Sequence, residues 1–186
     1  MTLTNRNQFG RYCDEKGYKI AVEVGVDLGL FARMLLSGSN IEKLYLVDPY
    51  LPYPEIPHER ETAWETAGEN LKEFDERLTW VLKKSADAAT MLRYAKLPLD
   101  FVYVDAEHTY EAVSEDLAAW WPLVRPGGTL AGHDYDLPAV RRAVDEFFMD
   151  VDVPLAVLTV PADGNEAGMD ENGNWAHPSW HVEKPK

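Results

Sequence analysis

Residues 18–29 read Tyr18-Lys19-Ile20-Ala21-Val22-Glu23-Val24-Gly25-Val26-Asp27-Leu28-Gly29, an apolar, β-branched run that ends in an acid and two spaced glycines. Phe31, Met34 and Leu35 follow on one face of a helix, with Asp27 placed to cap its start. Strand, glycine turn and amphipathic helix in this order make the opening unit of a parallel sheet. The same pattern recurs. Apolar runs stand at Lys43–Val47, Leu78–Leu82, Asp100–Val104 and Thr129–Ala131. Helical spacing follows the second run (Ala63, Ala67, Leu71, Phe74, Leu78), the fourth (Tyr110, Val113, Leu117, Trp120, Val124) and the fifth (Leu137, Val140, Val144, Phe147, behind an Asp136 cap). Pro126-Gly127-Gly128 is expected to stop the helix before the fifth strand. Such alternation predicts an α/β fold, a doubly wound, mostly parallel sheet with helices on both faces. Strands at Leu155–Val160 and near His177–Val182 close the chain, the last expected to run antiparallel.

Two segments break the alternation. Residues 49–58 hold four prolines, which predicts an ordered loop. Residues 161–175 are rich in Gly, Asp, Asn and Glu and predict a flexible excursion. With an N-terminal segment over 1–17, the 186 residues make a single domain, large enough to bury roughly 70% of the unfolded surface.

The apolar share of 46% places the chain among globular proteins, and its net charge of −14 argues against nucleic acid or an anionic membrane as partner. Lys83-Lys84 and Arg141-Arg142 are the only tight basic pairs, too few to reverse that sign. Cys13 stands alone, so no internal disulfide forms, which points to a reducing compartment. The N-terminus has no signal-like apolar stretch and the longest apolar run, Leu117–Val124, is far short of a membrane span. The expectation is a cytoplasmic protein acting on a small molecule. The oligomeric state stays open, a homodimer being one outcome the sequence allows.

Ligands of an open parallel sheet bind beyond the carboxyl ends of its strands, so the residues at those ends decide the chemistry. The first strand offers Glu23, Gly25, Val26 and Gly29, and the second offers Asp48-Pro49, with Asp48 placed to accept hydrogen bonds from ribose hydroxyls. The third offers Ser85, read alone as a helix cap. The fourth gives Asp105-Ala106-Glu107-His108 and the fifth Gly132-His133-Asp134-Tyr135. Together they favour a nucleoside-bearing cofactor. Val26-Asp27 stands where a dinucleotide fingerprint needs its second glycine, and the Gly-Lys-Ser/Thr of a phosphate loop is absent. The loop therefore suits a cofactor without phosphates.

Glu23-Val24-Gly25-Val26-Asp27-Leu28-Gly29, Leu46-Val47-Asp48-Pro49, Asp100–Asp105 and Pro126–Tyr135 resemble the successive motifs of class I S-adenosylmethionine-dependent methyltransferases. The nearest resemblance is to small-molecule O-methyltransferases with Val-Asp-x-x-His-x-Tyr (Val104–Tyr110) and Gly-His-Asp-Tyr (Gly132–Tyr135) signatures, over residues 18–150. It implies a Rossmann-like fold with S-adenosylmethionine as cofactor. Glu23, Gly25, Val26 and Gly29 would line its methionine and ribose, Asp48 and Pro49 the ribose, and Ser85 the adenine. In related sugar O-methyltransferases the Asp-x-x-His segment supplies a metal aspartate and a general-base histidine, and an acid after strand five completes the metal site. Here those positions hold Asp105, His108 and Asp134, which implies Mg2+ or another divalent cation on Asp105 and Asp134. Tyr135 replaces the Asn of catechol-type enzymes and His133 replaces a carboxylate of the sugar enzymes, so the metal stays open.

Methyl transfer from a sulfonium needs alignment of three atoms and loss of the acceptor's proton. A histidine titrates near ~6.5 and suits the role of proton acceptor, so His108 is the candidate base, with Asp105 and His133 beside it. His58, His177 and His181 read as solvated or edge-strand residues, and Trp120 and Trp121 as packing. Acceptor selection falls to Phe9 and Tyr12, the Tyr50–Pro57 loop and Trp175. The rival readings are a nicotinamide-dependent reductase, a catalytically silent nucleoside-binding protein and a metal-dependent hydrolase.

Overall fold

The computed structural model describes residues 2–51, 60–158 and 177–186. Most of the proline-rich loop, the excursion over 161–175, His58 and Trp175 lie outside them. Among the described residues one sheet contains β1 (Ile20–Val24), β2 (Lys43–Val47), β3 (Leu78–Val81), β4 (Leu99–Val104), β5 (Val124–Gly132), β6 (Ala156–Val157) and β7 (Trp180–Glu183). Their spatial order is β3-β2-β1-β4-β5-β7-β6. The first five pair in parallel, and β7 runs antiparallel between β5 and β6.

Every residue of β4 is buried, which is why its sequence Leu99-Asp100-Phe101-Val102-Tyr103-Val104 is continuously apolar apart from Asp100. Side chains alternate. Phe101 and Tyr103 face a layer built from α1 (Phe9–Lys16), α2 (Leu30–Ser37) and α3 (Arg60–Leu71). Val102 and Val104 face the opposite layer of α4 (Ser85–Ala95), α5 (Tyr110–Trp120) and α6 (Pro138–Asp150). Asp100 is satisfied at the other end of the strand, accepting from the backbone N–H of Lys19 and Ile20 at 2.7 and 2.8 Å and from Arg125.

The chain leaves β1 towards β2 and returns to β4 on the other side, so a crevice opens between the ends of β1 and β4. Gly25 stands there at φ +85°, where a Cβ would lie 1.9 Å from the carbonyl oxygen of Asp105. No other residue fits. Gly29 serves packing instead, turning at φ +73° so that the Leu71 side chain of α3 occupies the space where a Cβ would sit.

Several local expectations give way to tertiary contacts. Asp27 does not cap α2; Gly29 holds that position without a side-chain bond, and Asp27 itself turns at φ +46°. Lys84 rather than Ser85 precedes α4, and Ser85 opens the helix and accepts a hydrogen bond from Trp120 Nε1 at 2.8 Å. Asp136 does not cap α6, which starts at Pro138 behind Leu137. The α5 helix ends at Trp120 and a 3-10 turn over Trp121–Leu123 contains Pro122, so Pro126-Gly127-Gly128 belongs to β5. Helix α3 ends at Leu71; Phe74 follows in a 3-10 segment and Leu78 begins β3. Phe9 and Tyr12 form no acceptor wall. Phe9 is fully buried with its ring 5.3 Å from that of Phe101, and Tyr12 bonds Thr129 Oγ1 at 3.0 Å.

Candidate active site

A cavity of about 510 Å³ opens at the crevice, lined by Gly25, Asp48, Ser85, Asp105 and Asp116 among others. Most of its wall comes from the ends of strands, as the winding of the sheet requires, and α5 closes one side with Asp116. Asp48 is buried and organises the turn: its Oδ2 accepts from the N–H groups of Val26 and Asp27 at 3.1 and 3.2 Å, and its Oδ1 from Tyr50 at 2.7 Å. The Tyr50 hydroxyl donates to the Asp27 carbonyl at 2.9 Å, which ties the start of the proline-rich segment to the glycine turn. A carboxylate is therefore needed at 48 before any ligand arrives.

Of the residues expected to hold a cofactor, Gly25, Asp48, Pro49, Ser85 and Asp105 line the cavity. Glu23, Val26 and Gly29 stand off its wall. Val26 and Gly29 act through the turn, while Glu23 is buried at the edge of the crevice with no hydrogen-bond partner for Oε2 among the described residues. Burial, and after it the charges of Asp105 and Asp48, push its carboxyl well above the usual range.

Beside the cavity the ends of β4 and β5 bring a second group of side chains together. His108 Nε2 lies 2.9 Å from Asp134 Oδ2 and 4.0 Å from Asp105 Oδ1. His133 Nδ1 lies 3.2 Å from Asp134 Oδ1 and 3.7 Å from Asp105 Oδ2. Burial alone would raise the Asp134 carboxyl, but hydrogen bonds from His108 and His133 outweigh it and hold the group well below the usual range. Asp134 adopts φ +56°, a left-handed turn that aims its carboxylate back at both rings. Asp105, His108 and Asp134 each offer a ligand atom within 4.8 Å of the others, a set of two carboxylates and one imidazole that suits a divalent cation.

Three further residues complete this region, and no contiguous motif marks them. Arg6, in a 3-10 turn over Arg6–Gln8, places Nη1 3.1 Å from His133 Nε2. His177 lies in the loop before β7, as read from the sequence, with its Nδ1 2.8 Å from Asp136 Oδ1 and its ring centre 6.1 Å from that of His133. Asp116 is buried on α5 and lines the cavity beside Ser85. His181, by contrast, sits inside the sheet on β7, its ring 6.3 Å from that of Phe9.

The family described as a methyltransferase domain matches residues 22–135, which span every strand end that lines the site. The chain belongs to this methyltransferase family. No curated protein matches it in sequence. Among solved structures the methyltransferase is similar to an O-methyltransferase from Bacillus cereus in complex with SAH, at 15% identity and a TM-score of 0.70 over 99% of this chain and 82% of that one. It is similar to the O-methyltransferase TomG of tomaymycin synthesis from Streptomyces achromogenes, in complex with SAM, at 16% identity and a TM-score of 0.68 over 96% and 79%. A chain from Clostridium thermocellum described as an rRNA-methylase candidate matches at 16% identity and a TM-score of 0.65 over 100% and 99%. At such identities the likeness establishes a shared fold. Among the described residues no helix of the methyltransferase is long and apolar enough to cross a membrane.

Proposed function

We propose that the protein transfers a methyl group from S-adenosylmethionine to a hydroxyl of a small molecule, with His108 as the base. The observation that carries this reading is the position of Asp105, which lines the cavity and also stands in the cluster with His108 and Asp134. A donor seated in the cavity presents its reactive end where carboxylates and imidazoles converge. The surrounding groups fit such a donor. Gly25 admits close backbone approach, and Asp27 and Asp48 line the cavity with carboxylates that suit ribose hydroxyls. Bound there, S-adenosylmethionine supplies a methyl group on a sulfonium sulfur for in-line displacement.

In this reading His108 removes the acceptor's proton as the new bond forms, a contribution of roughly 10²–10⁴-fold. Asp134, 2.9 Å from Nε2, stabilises the imidazolium that results. His133, with Nε2 facing Arg6 and Nδ1 facing Asp134, orients the Asp134 carboxylate beside His108. A divalent cation such as Mg2+ on Asp105 and Asp134, when bound, acts as a Lewis acid that lowers the acceptor's pKa. His108 is the third donor of that set, and its ligation through Nε2 would displace the hydrogen bond to Asp134. The net charge of −14 favours a small acceptor over RNA.

Calorimetric titration with S-adenosylhomocysteine, with and without Mg2+, tests donor and cation together. Binding of that ligand and none of NAD is expected; binding of NAD alone, or of neither, would overturn the proposal. A panel of phenols and sugars then reads transfer directly, and stable donor binding with no acceptor turned over would mark a silent nucleoside-binding protein.

A further inference from the structure

The turn that carries Arg6 is built to hold it. The Asn5 side chain caps it, accepting from the N–H of Asn7 at 3.1 Å, Gln8 Oε1 accepts from the N–H of Thr4 at 2.8 Å, and Leu3 and Phe9 are buried on either side. Arg6 is half-buried and reaches the end of β5, where its Nη1 donates to His133 Nε2 at 3.1 Å. Among the described residues that ring is its only hydrogen-bond partner, and no carboxylate stands within ion-pair distance. The acids nearby are engaged elsewhere or out of reach. Asp134 faces His108 and His133 at 2.9 and 3.2 Å, Asp105 stands 3.7 Å from His133, and Glu23 Oε2 has no hydrogen-bond partner among the described residues. In a chain with 32 acidic residues against 18 basic ones, a half-buried guanidinium without a carboxylate is out of place unless a ligand supplies the anion. The bond to His133 takes one of its five N–H donors and brings no negative charge, since an imidazole that accepts is neutral.

We infer that Arg6 binds a carboxylate on the methyl acceptor, held by its remaining N–H groups while the acceptor's hydroxyl lies at His108. The inference rests on the transfer proposed above and names the class of acceptor, a small hydroxy acid. A guanidinium fork matches a carboxylate in plane and in charge, with two parallel N–H···O bonds at once. From Arg6 through His133 and Asp134 to His108 each link is one short contact, so the cation and the base are two side chains apart, a span that one small molecule bridges. The place accepts a single negative charge. Asp105 and Asp134 already lie there, and one guanidinium offsets one carboxylate but not the double charge of a phosphate.

Two matched probes and three proteins test this. The probes are para-hydroxybenzoate and para-hydroxybenzamide, which share a ring and a hydroxyl and differ in charge. Each is titrated in the calorimeter into wild type, Arg6→Met and Arg6→Lys, with S-adenosylhomocysteine present. Wild type should bind the carboxylate about 10- to 100-fold more tightly than the amide, the range of hydrogen bonds to a charged group. Arg6→Met should lose the preference, and Arg6→Lys, which keeps the charge without the fork, should retain part of it. No preference in wild type, or one that survives in Arg6→Met, overturns the assignment. Titration with S-adenosylhomocysteine alone checks the other source of a carboxylate, the donor's own. Weakening of that ligand in Arg6→Met by the same factor would place the cation on the donor and overturn the assignment as well. Failure of wild type to bind S-adenosylhomocysteine overturns the donor reading, and the two probes titrated without it still decide the role of Arg6, so the two failures are told apart.

Discussion

Arg6 Nη1 stands 3.1 Å from His133 Nε2, across 127 residues of chain, and it fixes the state of that ring. A guanidinium can only donate, so Nε2 must accept and the imidazole proton sits on Nδ1, facing Asp134 Oδ1 at 3.2 Å. The N-terminal turn thereby sets a tautomer at the far end of β5. At pH 8, nitrogen-15 NMR of the imidazole should show His133 protonated at Nδ1. In Arg6→Met the preference should relax towards the Nε2–H form favoured by free imidazoles; an unchanged spectrum would remove Arg6 from this role.

Asp134 offers a test of the cluster's electrostatics. Its carboxyl lies below the usual range in the folded state, so it contributes stability above the ordinary carboxylate pKa and loses it as pH falls through the folded value. Asn tolerates the left-handed turn at φ +56°, so Asp134→Asn removes charge with little backbone cost. The variant should be less stable by about 2 kcal/mol at pH 7, and the gap should narrow on acidification below about pH 4. Urea denaturation at both pH values measures it, and a gap independent of pH would contradict the assignment.

The sign reverses at Asp116. Its folded pKa, raised to about 6, exceeds the unfolded value near 3.8, so the native state holds the proton more firmly and stability declines as pH rises between them. Asp116→Asn should be more stable than wild type by about 2 kcal/mol at pH 7.5, and nearly equal to it at pH 4. Melting temperatures across that window are the measurement. A variant less stable at pH 7.5 would show that the carboxylate has a partner stronger than Ser85.

Gly25 permits no side chain. In Gly25→Ala the new Cβ would meet the Asp105 carbonyl at 1.9 Å, at a φ of +85°. A loss of about 3 kcal/mol or more is expected, together with loss of S-adenosylhomocysteine binding. Gly17→Ala, whose Cβ meets nothing within 4 Å at φ +67°, is the control and should cost only the backbone strain of about 1–2 kcal/mol.

The order of strands and helices, the crevice and five of its lining residues were legible because each is written locally: an apolar run, a glycine, then a polar residue at the strand end. Helix caps were less so, since Asp27, Asp136 and Ser85 each found a partner or turn elsewhere in the fold that displaced the local bond. Arg6, His177 and Asp116 carry no motif, and their neighbours lie far off in sequence.

The linear pattern of β-branched runs and glycines was sufficient to determine a wound parallel sheet with polar residues gathered along one rim, because backbone sterics and the two-residue side-chain period act over short distances. Which histidine has its lone pair engaged, which carboxylate is held charged and which is pushed towards neutrality were decided only when distant segments packed together. Desolvation and hydrogen bonding depend on what surrounds a group in space, and a chain does not carry that information in its neighbours along the sequence.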